Sequence, residues 1–306
     1  MSKTPHYEKL KATLKNNKLP SEDKRRIESA LEKYKKWKSD IHEVKESGNE
    51  PSVVLKNLVE LFNQYKKYIE VELIFKSEND FLYRQKGQLK LDNSIIEEFL
   101  PELIHLAIIP EIQDLNIEVG STNTFSSIYF NSTLDNLEGG PLLNLRTKDQ
   151  DFAITKKVYF KTSFYEDFSD NNIQTSYLAY IAAECKTNLD KTMFQEASAT
   201  AHDVKTSVPG AKYFLLCEWL DMTPVSTAPT DIDEVIILRK AKRLSSNVRS
   251  KYSTYKGRMD NLTEYTEFLE NNPIQFDMIQ RLITHIQKLL NQETLIEDDV
   301  LTIGFF

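Results

Sequence analysis

Two apolar runs that flank one amphipathic segment constrain the fold of this chain more than any other feature. The runs Ser176–Lys186 (SYLAYIAAECK) and Lys212–Leu220 (KYFLLCEWL) have the length and composition of buried strands. The segment between them is helical in pattern, with Asp190 as its expected N-cap and Pro209–Gly210 as its stop. A strand, a helix and a strand over this distance form a βαβ unit with parallel strands and a right-handed crossover. The sequence therefore predicts the α/β class.

Other runs of strand character extend the predicted sheet. Residues 117–130 (IEVGSTNTFSSIYF) are rich in β-branched and aromatic side chains and predict a strand or a hairpin arm. Asp151–Ser163 and Asp233–Leu238 predict two more strands, and Gly139-Gly140-Pro141 marks a turn. We therefore expect a mixed β-sheet that is flanked by helices.

The first quarter of the chain predicts helices instead of strands. Apolar side chains recur at helical spacing from Ser21 to Val44 and from Pro51 to Ile69. Residues 94–109 predict a further helix, in which Pro101 implies either a kink or an early helix start. Residues 274–292 predict an amphipathic helix near the C-terminus. We divide the chain into a helical N-terminal region, residues 1–90, and a domain of residues 91–306 that contains the sheet and the C-terminal helices.

Basic residues are concentrated in two segments, although the net charge is -7. Residues 1–48 contain 13 Lys/Arg against 8 Asp/Glu, and residues 239–259 contain eight basic residues and no acidic one. Basic side chains mixed with hydroxyl and amide groups suit contacts with phosphates, whereas a solvated surface run is the alternative. The candidates for phosphate contact in the second segment are Arg239, Lys240, Lys242, Arg243, Arg249 and Lys251.

Several classes of protein lack support in the sequence. The N-terminus has no apolar signal segment, and no run reaches the apolar length of a membrane span, so we expect a soluble cytoplasmic protein. Cys185 and Cys217 allow one disulfide but no framework of them, and a reducing compartment is the simpler interpretation. The five histidines show no metal-ligand spacing, and neither a G-x-S-x-G nor a phosphate-binding glycine loop occurs.

The tripeptide Glu184-Cys185-Lys186 is the strongest indication of chemistry. It ends an apolar strand, so Glu184 and Lys186 point to one face and Cys185 to the other, which makes Cys185 a poor nucleophile candidate. Asp151 begins the strand upstream, and the two carboxylates converge if the strands are neighbours. Asp149 has the same parity, but we expect it to lie in the preceding loop.

Two carboxylates and a lysine at one point suit phosphodiester hydrolysis. Carboxylates hold Mg²⁺, which neutralises the phosphate and lowers the pKa of a bound water molecule. A lysine beside the metal positions that water or stabilises the developing charge. Three other E/D-x-K tripeptides occur, but all lie in charged helical segments. The alternative for Glu184 and Lys186 is an ordinary ion pair at a strand end.

Several ordered blocks of this chain resemble the BbvCI-type restriction endonucleases. The blocks are TKDQDFAI, AAECKTNLDKTMFQEA, PGAKYFLLCEWLDM and IDEVIILRK, and the resemblance extends over about residues 94–243. Enzymes of this family are type II, and their two related subunits each cut one strand of an asymmetric DNA site of the CCTNAGC kind. The resemblance implies a restriction-endonuclease-like PD-(D/E)xK core with Asp151, Glu184 and Lys186 in the catalytic positions. Gln150 stands where the nominal motif of the family has proline.

The resemblance also implies a substrate and partners. The substrate is double-stranded DNA, the cofactor is Mg²⁺, and the partner is a related second subunit or a second copy of the chain. Glu98 falls where related enzymes carry a helical acid that supports the metal, although Glu97, Glu98 and Glu102 together also suit a solvated helix face. Target choice in the family tends to lie outside the catalytic core, so residues 25–38 and the segment after Leu238 are candidates for DNA contact. The first of these segments equally suits a partner chain.

We therefore expect a Mg²⁺-dependent, site-specific deoxyribonuclease that belongs to a restriction–modification system. Two alternatives remain open at this point. One is a DNA-binding or assembly subunit that retains the fold without the activity. The other is a repair or recombination nuclease on the same core, which would recognise DNA structure instead of a base sequence.

Overall fold

The computed structural model describes residues 4–135 and 141–291, and its centre is a five-stranded mixed sheet. The strand order follows the chain, with the first three strands antiparallel and the last three parallel. The predicted α/β class with a mixed sheet and flanking helices is confirmed. The strands are β1 (Glu118–Asn131), β2 (Leu142–Thr162), β3 (Asn172–Leu189), β4 (Lys212–Leu220) and β5 (Glu234–Lys242).

The predicted βαβ unit is present. Helix α6 (Lys191–Ser207) connects β3 to β4, and these two strands are parallel. The Asp190 carboxylate accepts a hydrogen bond from the Met193 N–H at 2.9 Å, which satisfies a donor that the first helical turn leaves free. The predicted N-cap is therefore confirmed.

The other regular elements of the described chain are helices, and they occupy most of its first quarter, as the sequence predicts. A π-helix, residues 68–75, continues α3. Helix α5 ends at Phe99 and is followed by a 3₁₀ turn at residues 100–103 that contains Pro101, so the helix predicted over residues 94–109 is shorter than expected. The α-helices are α1 (Pro5–Leu14), α2 (Ser21–Lys45), α3 (Pro51–Lys67), α4 (Asp80–Leu89), α5 (Ser94–Phe99), α7 (Ser246–Lys251), α8 (Tyr255–Asp260), α9 (Leu262–Asn271) and α10 (Phe276–Leu290).

The sheet is covered on both faces. In one large apolar cluster, the five helices α1–α5 and helix α10 pack against one face of the sheet. The cluster includes Ile27, Phe62, Phe152 and Phe214. A smaller cluster joins α6 to the other face. The N-terminal helices thus share a core with the sheet. Among the described residues, no helix has both the length and the hydropathy that crossing a membrane requires.

Strand β2 is longer than the sequence indicates, because different parts of it pair with two different strands. Its first part pairs with β1 up to Thr155, and its second part pairs with β3 from Phe152 onwards. Asp149 pairs with Asn123 inside this strand, so the expectation that Asp149 lies in a loop is wrong. The strand begins nine residues before Asp151, at Leu142.

Candidate active site

The candidate site lies where β2 and β3 stop pairing. Phe152 and Ala183 form the last pair of this antiparallel ladder, and Asp151 and Glu184 are the next residues along the two strands. The Asp151 Oδ2 atom accepts a hydrogen bond from the Cys185 N–H at 2.9 Å. The Asp151 carboxylate thus accepts the hydrogen bond that the backbone of β2 would accept if the β2–β3 pairing continued. The prediction that these two strands are neighbours is confirmed.

Strand parity separates the charged residues from the cysteine, as predicted. The Lys186 Nζ atom lies 2.6 Å from Glu184 Oε1, and the Tyr213 hydroxyl lies 3.4 Å from Glu184 Oε2. Cys185 is buried in the core on the opposite face, together with Phe152 and Phe214. Burial raises the pKa of the Cys185 thiol well above its ordinary value, so this group remains an unreactive thiol.

A cleft of about 880 Å³ opens over the point where β2 and β3 stop pairing. Asp149, Asp151, Glu184 and Lys186 all line it. Basic groups in the same cleft come from helices α4 and α7 and from the residues that flank these helices. Met193 at the start of α6 and Trp219 at the end of β4 also line it. The basic residues that line the cleft besides Lys186 are Arg84, Lys86, Lys90, Arg243 and Arg249.

The two catalytic candidates of opposite charge respond differently to their surroundings. Burial raises the pKa of Asp151, the Cys185 N–H and Lys90 oppose that rise, and the charge of Glu184 adds to it. Burial tends to lower the pKa of Lys186, but the hydrogen bond and the charge of Glu184 raise it above its ordinary value. Lys186 therefore keeps its proton, whereas the surroundings of Asp151 on balance oppose its ionisation.

Glu97, and not Glu98, is the helical acid that lies near the site. The pKa of Glu97 is raised by burial and then by the charge of Asp151. The side chain of Glu98 points elsewhere, because it accepts hydrogen bonds from the Tyr34 hydroxyl at 2.8 Å and the His6 N–H at 3.1 Å. The structure thus corrects the expectation that Glu98 supports the metal.

Asn93 connects the helical region to β3, and nothing in the sequence indicates this contact. Its Nδ2 atom lies 3.2 Å from Glu97 Oε1 and 3.2 Å from the Cys185 carbonyl oxygen. Asp151 and Asn93 therefore hold the two sides of the same residue, Cys185, which separates Glu184 from Lys186. An asparagine directly before a helix is an ordinary capping signal, so the sequence offers no sign of this role.

The donor set suits Mg²⁺. Asp151 and Glu184 offer two carboxylates to one cleft, and the charge of Glu184 adds to the rise that burial gives the pKa of Asp151. Within residues 4–135 and 141–291, no three His, Cys, Asp or Glu side chains are grouped closely enough to form a complete metal site. Magnesium commonly takes one or two carboxylates and fills its other positions with water and substrate phosphate, so two carboxylates are sufficient.

The predicted phosphate-binding segment divides into buried and exposed groups. Arg239 is buried, with Nε 3.1 Å from Glu218 Oε2 and an Nη atom 3.0 Å from Glu70 Oε2, and its guanidinium group lies over the Trp219 ring. It is therefore not available to DNA, which corrects that part of the prediction. Lys240 is exposed and paired with Asp277, while Arg243 and Arg249 line the cleft and Lys242 and Lys251 are exposed.

Lysines of the N-terminal region also reach the cleft, which the sequence analysis did not anticipate. The Lys86 Nζ atom lies 3.7 Å from Asp92 Oδ2, and the Lys90 Nζ atom lies 3.7 Å from Glu97 Oε1. Both distances exceed hydrogen-bond length, so these ammonium groups keep donors for a ligand. The predicted boundary at residue 90 separates these lysines from the site. Lys86 lies on α4 and Lys90 directly follows its last residue, so no helical spacing signals the pair.

Comparison with known proteins identifies the family. The profile of the Bpu10I restriction endonuclease family matches residues 88–306. No curated protein matches the chain significantly. Among solved structures, the chain is similar to one from the native BbvCI A2B2 tetramer, with a TM-score of 0.54 and 19% identity over 87% of this chain and 96% of that chain. The structural likeness shows a shared fold, and the predicted resemblance to BbvCI-type enzymes is confirmed. Because the family match covers more than half of its length, this chain belongs to the Bpu10I restriction endonuclease family.

Proposed function

We propose that this chain is a subunit of a Mg²⁺-dependent type II restriction endonuclease that hydrolyses DNA phosphodiester bonds at a specific short site. The observation that supports this most directly is that Asp151, Glu184 and Lys186 lie where the pairing of β2 with β3 stops, inside one cleft. The arrangement suits a PD-(D/E)xK core in which Gln150 replaces the proline. The two buried free cysteines suit the reducing cytoplasm in which such an enzyme would act.

In this mechanism, the carboxylates of Asp151 and Glu184 would hold a Mg²⁺ ion. When bound, the ion neutralises charge on the scissile phosphate and lowers the pKa of a water molecule. Lys186 stays protonated, because Glu184 raises its pKa, and its ammonium group donates to the phosphate as negative charge develops. The Tyr213 hydroxyl, 3.4 Å from Glu184, orients that carboxylate.

Double-strand cleavage requires a second active site. One cleft of this kind attacks one strand, so the proposed enzyme acts together with a related subunit or a second copy of the chain. The BbvCI enzyme, which shares the fold, forms a tetramer with two kinds of subunit. The proposed contacts to the DNA backbone are the exposed Lys240, Lys242 and Lys251, together with Arg243 and Arg249 of the cleft.

A plasmid digest with MgCl₂ tests the proposal. We expect Lys186→Ala to lower the cleavage rate by about 10²–10³, the usual effect of losing one charge-stabilising donor, while DNA binding persists. Lys191→Ala is the matched control, because Lys191 is exposed at the start of α6 and does not line the cleft. Removal of Mg²⁺ with a chelator should stop cleavage by the parent.

The products separate the remaining functions. Discrete bands indicate a specific site, a smear indicates a structure-dependent or nonspecific nuclease, and nicked circles indicate a subunit that cuts one strand. A parental cleavage rate in Lys186→Ala would contradict the assignment. The absence of cleavage by the parent, with DNA binding retained, would favour a DNA-binding or assembly subunit.

A further inference from the structure

A lysine follows helix α4 at the position where glycine is the usual residue. Lys90 has φ +50° and ψ +33°, which is a left-handed conformation. Its N–H donates to the Gly87 carbonyl at 3.3 Å, and the Leu91 N–H donates to the Lys86 carbonyl at 3.2 Å, the usual hydrogen bonds of a left-handed helix end. Glycine is favoured there because a Cβ atom crowds the left-handed backbone. The helix end uses only the backbone of Lys90, so it does not account for the lysine side chain.

The backbone around Lys90 is fixed to the core and to β3. Leu91 and Asp92 are buried, and the Lys66 Nζ atom donates to the Asp92 carbonyl at 2.8 Å. The next residue, Asn93, donates from its Nδ2 atom to the Cys185 carbonyl at 3.2 Å. The backbone of Lys90 is therefore held at the wall of the cleft, and only its long side chain can move to meet a ligand.

The side chain of Lys90 lines the cleft that contains Asp151 and Glu184. It is 47% exposed, and its Nζ atom lies 3.7 Å from Glu97 Oε1, which is beyond hydrogen-bond length. Burial raises the pKa of Asp151, and the ammonium group of Lys90 opposes this rise more strongly than that of Lys186 does. An ammonium group from the helical region thus acts on the same carboxylate as the lysine of β3.

We propose that Lys90 binds the scissile phosphate, as a second ammonium group beside Lys186 that the helical region supplies. This role deepens the proposed function and rests on it, because it adds a group to the same reaction. Lysine is a common phosphate ligand that acts as a point charge. Negative charge increases on the phosphate oxygens as water attacks, so a cation held at this point stabilises the transition state more than the ground state.

An ion pair with Glu97 is the alternative role for Lys90. Glu97 already accepts a hydrogen bond from Asn93 Nδ2 at 3.2 Å, and its side chain is 7% exposed, whereas nearly half of the Lys90 side chain is exposed. Removal of a structural partner would leave a buried carboxylate uncompensated and would lower stability. Thermal stability therefore separates the two roles.

Single-turnover cleavage of supercoiled plasmid by the full chain in MgCl₂ tests the proposal. We expect Lys90→Gly to lower the rate at saturating enzyme about 10²-fold, a usual effect of losing one charge-stabilising donor. Its melting temperature should equal or exceed that of the parent, because glycine adopts the left-handed backbone without strain. Lys76→Ala is the control and should keep the parental rate, because Lys76 is paired with Glu72 and does not line the cleft.

A chemical rescue tests whether the charge is the property that matters. The chain has two cysteines, Cys185 and Cys217, and both are buried, so alkylating reagents should modify the thiol that Lys90→Cys introduces. We expect Lys90→Cys to lose activity as Lys90→Gly does. Alkylation with 2-bromoethylamine, which restores an ammonium group at nearly the length of lysine, should return most of the lost rate. Alkylation with iodoacetamide, which adds a neutral amide, should not.

The other outcomes overturn the proposal. A parental rate in Lys90→Gly shows that Lys90 takes no part in the reaction. A rate that falls only below saturating enzyme assigns Lys90 to a neighbouring phosphate, and a rate that falls together with the melting temperature assigns it to the Glu97 pair. Equal rescue by iodoacetamide shows that side-chain volume is sufficient. A parent that does not cleave contradicts the proposed function and this role with it, whereas the other outcomes contradict this role alone.

Discussion

At the scale of single residues, Asn93 joins the N-terminal half of the chain to the catalytic strand. We predict that Asn93→Ala lowers the single-turnover cleavage rate by about 10–100-fold without weakening DNA binding. The substitution removes the donor that Glu97 and the Cys185 carbonyl share, so the residue between Glu184 and Lys186 is held on one side only. Small displacements of catalytic groups cost rates of this order.

Asn63→Ala is the matched control for this prediction. The Asn63 amide also makes tertiary hydrogen bonds, to the Ile274 N–H and carbonyl at 2.8 and 2.9 Å, but it does not line the cleft. We expect Asn63→Ala to lower thermal stability and leave the cleavage rate unchanged. Equal losses of rate in both variants would show that Asn93 acts only through stability.

Asp23 is a residue whose charge opposes folding. It is buried, and neither carboxylate oxygen has a hydrogen-bond partner within the described structure. Burial raises its pKa from 3.8 to about 6, although the charge of Arg26 opposes the rise. The folded state therefore binds the proton more tightly than the unfolded state does. This penalty is absent below about pH 4, increases as the pH passes from 4 to 6, and is complete above that.

We predict that Asp23→Asn stabilises the protein at pH 8 by at most ~3 kcal/mol, the value of a shift of about two pKa units. The gain should shrink at pH 5, where the parent is mostly protonated. Urea unfolding at both pH values measures it. Glu22→Gln, next in the chain but exposed and with a lowered pKa, should give no gain. A gain that is the same at both pH values would contradict the assigned cause.

At the scale of elements, the basic segment from β5 to α7 combines two roles. We predict that Arg239→Ala destabilises the fold by about 3–5 kcal/mol, because it leaves the buried carboxylates of Glu70 and Glu218 with less compensation. Lys242→Ala should leave stability unchanged and weaken DNA binding. The slope of its log affinity against log salt concentration should become shallower by about 0.9 for each phosphate that is no longer neutralised.

Denaturant unfolding and a salt titration of DNA affinity measure these two effects. Both variants are compared in the Lys186→Ala background, so that the DNA stays intact. If Arg239→Ala is fully folded and still binds DNA more weakly than the parent, Arg239 contacts DNA after all. An unaltered salt dependence in Lys242→Ala would remove Lys242 from it.

The elements that the sequence predicts well are those with local signals. The β3–α6–β4 unit follows from apolar run length, a capping aspartate and a Pro-Gly stop, all within one stretch of chain. The position of Asp149 does not follow, because the first half of β2 is polar and becomes a strand only through its pairing with β1. Pairing between segments this far apart leaves no local pattern.

The candidate site was predictable to a similar extent. The sequence marks Glu184 and Lys186 by the end of an apolar run and Asp151 by the start of another, and strand parity places the first two on one face. Glu97 and Glu98 are neighbours on a helix, so they point about 100° apart, and only the packing of α5 decides which one is near Asp151. The sequence predicts Arg239 as a DNA contact because it lies in a basic segment, and its true partner Glu70 is 169 residues away in the chain and leaves no local signal.

At the scale of the whole molecule, the N-terminal helices and the sheet are joined by buried charges as well as by the apolar core. The Lys66 Nζ atom of α3 lies 2.8 Å from Glu218 Oε1 of β4, and both side chains are buried. Removing residues 1–90 would leave Glu218 and Arg239 without Lys66 and Glu70, and would expose the face of the sheet that Phe152 and Phe214 occupy. We therefore predict that residues 91–306 alone do not form a cooperatively folded domain.

The two tryptophans of the chain make this prediction measurable in the intact protein. Trp37 stacks on Tyr65 among the N-terminal helices, and Trp219 stacks on Phe268 beside the sheet. Trp219→Phe leaves fluorescence that reports the helices, and Trp37→Phe leaves fluorescence that reports the sheet. If the two regions unfold as one unit, each variant's fluorescence transition in urea coincides with its own circular dichroism transition. Helix fluorescence in Trp219→Phe that changes at lower urea than the circular dichroism would instead support two separate domains divided near residue 90.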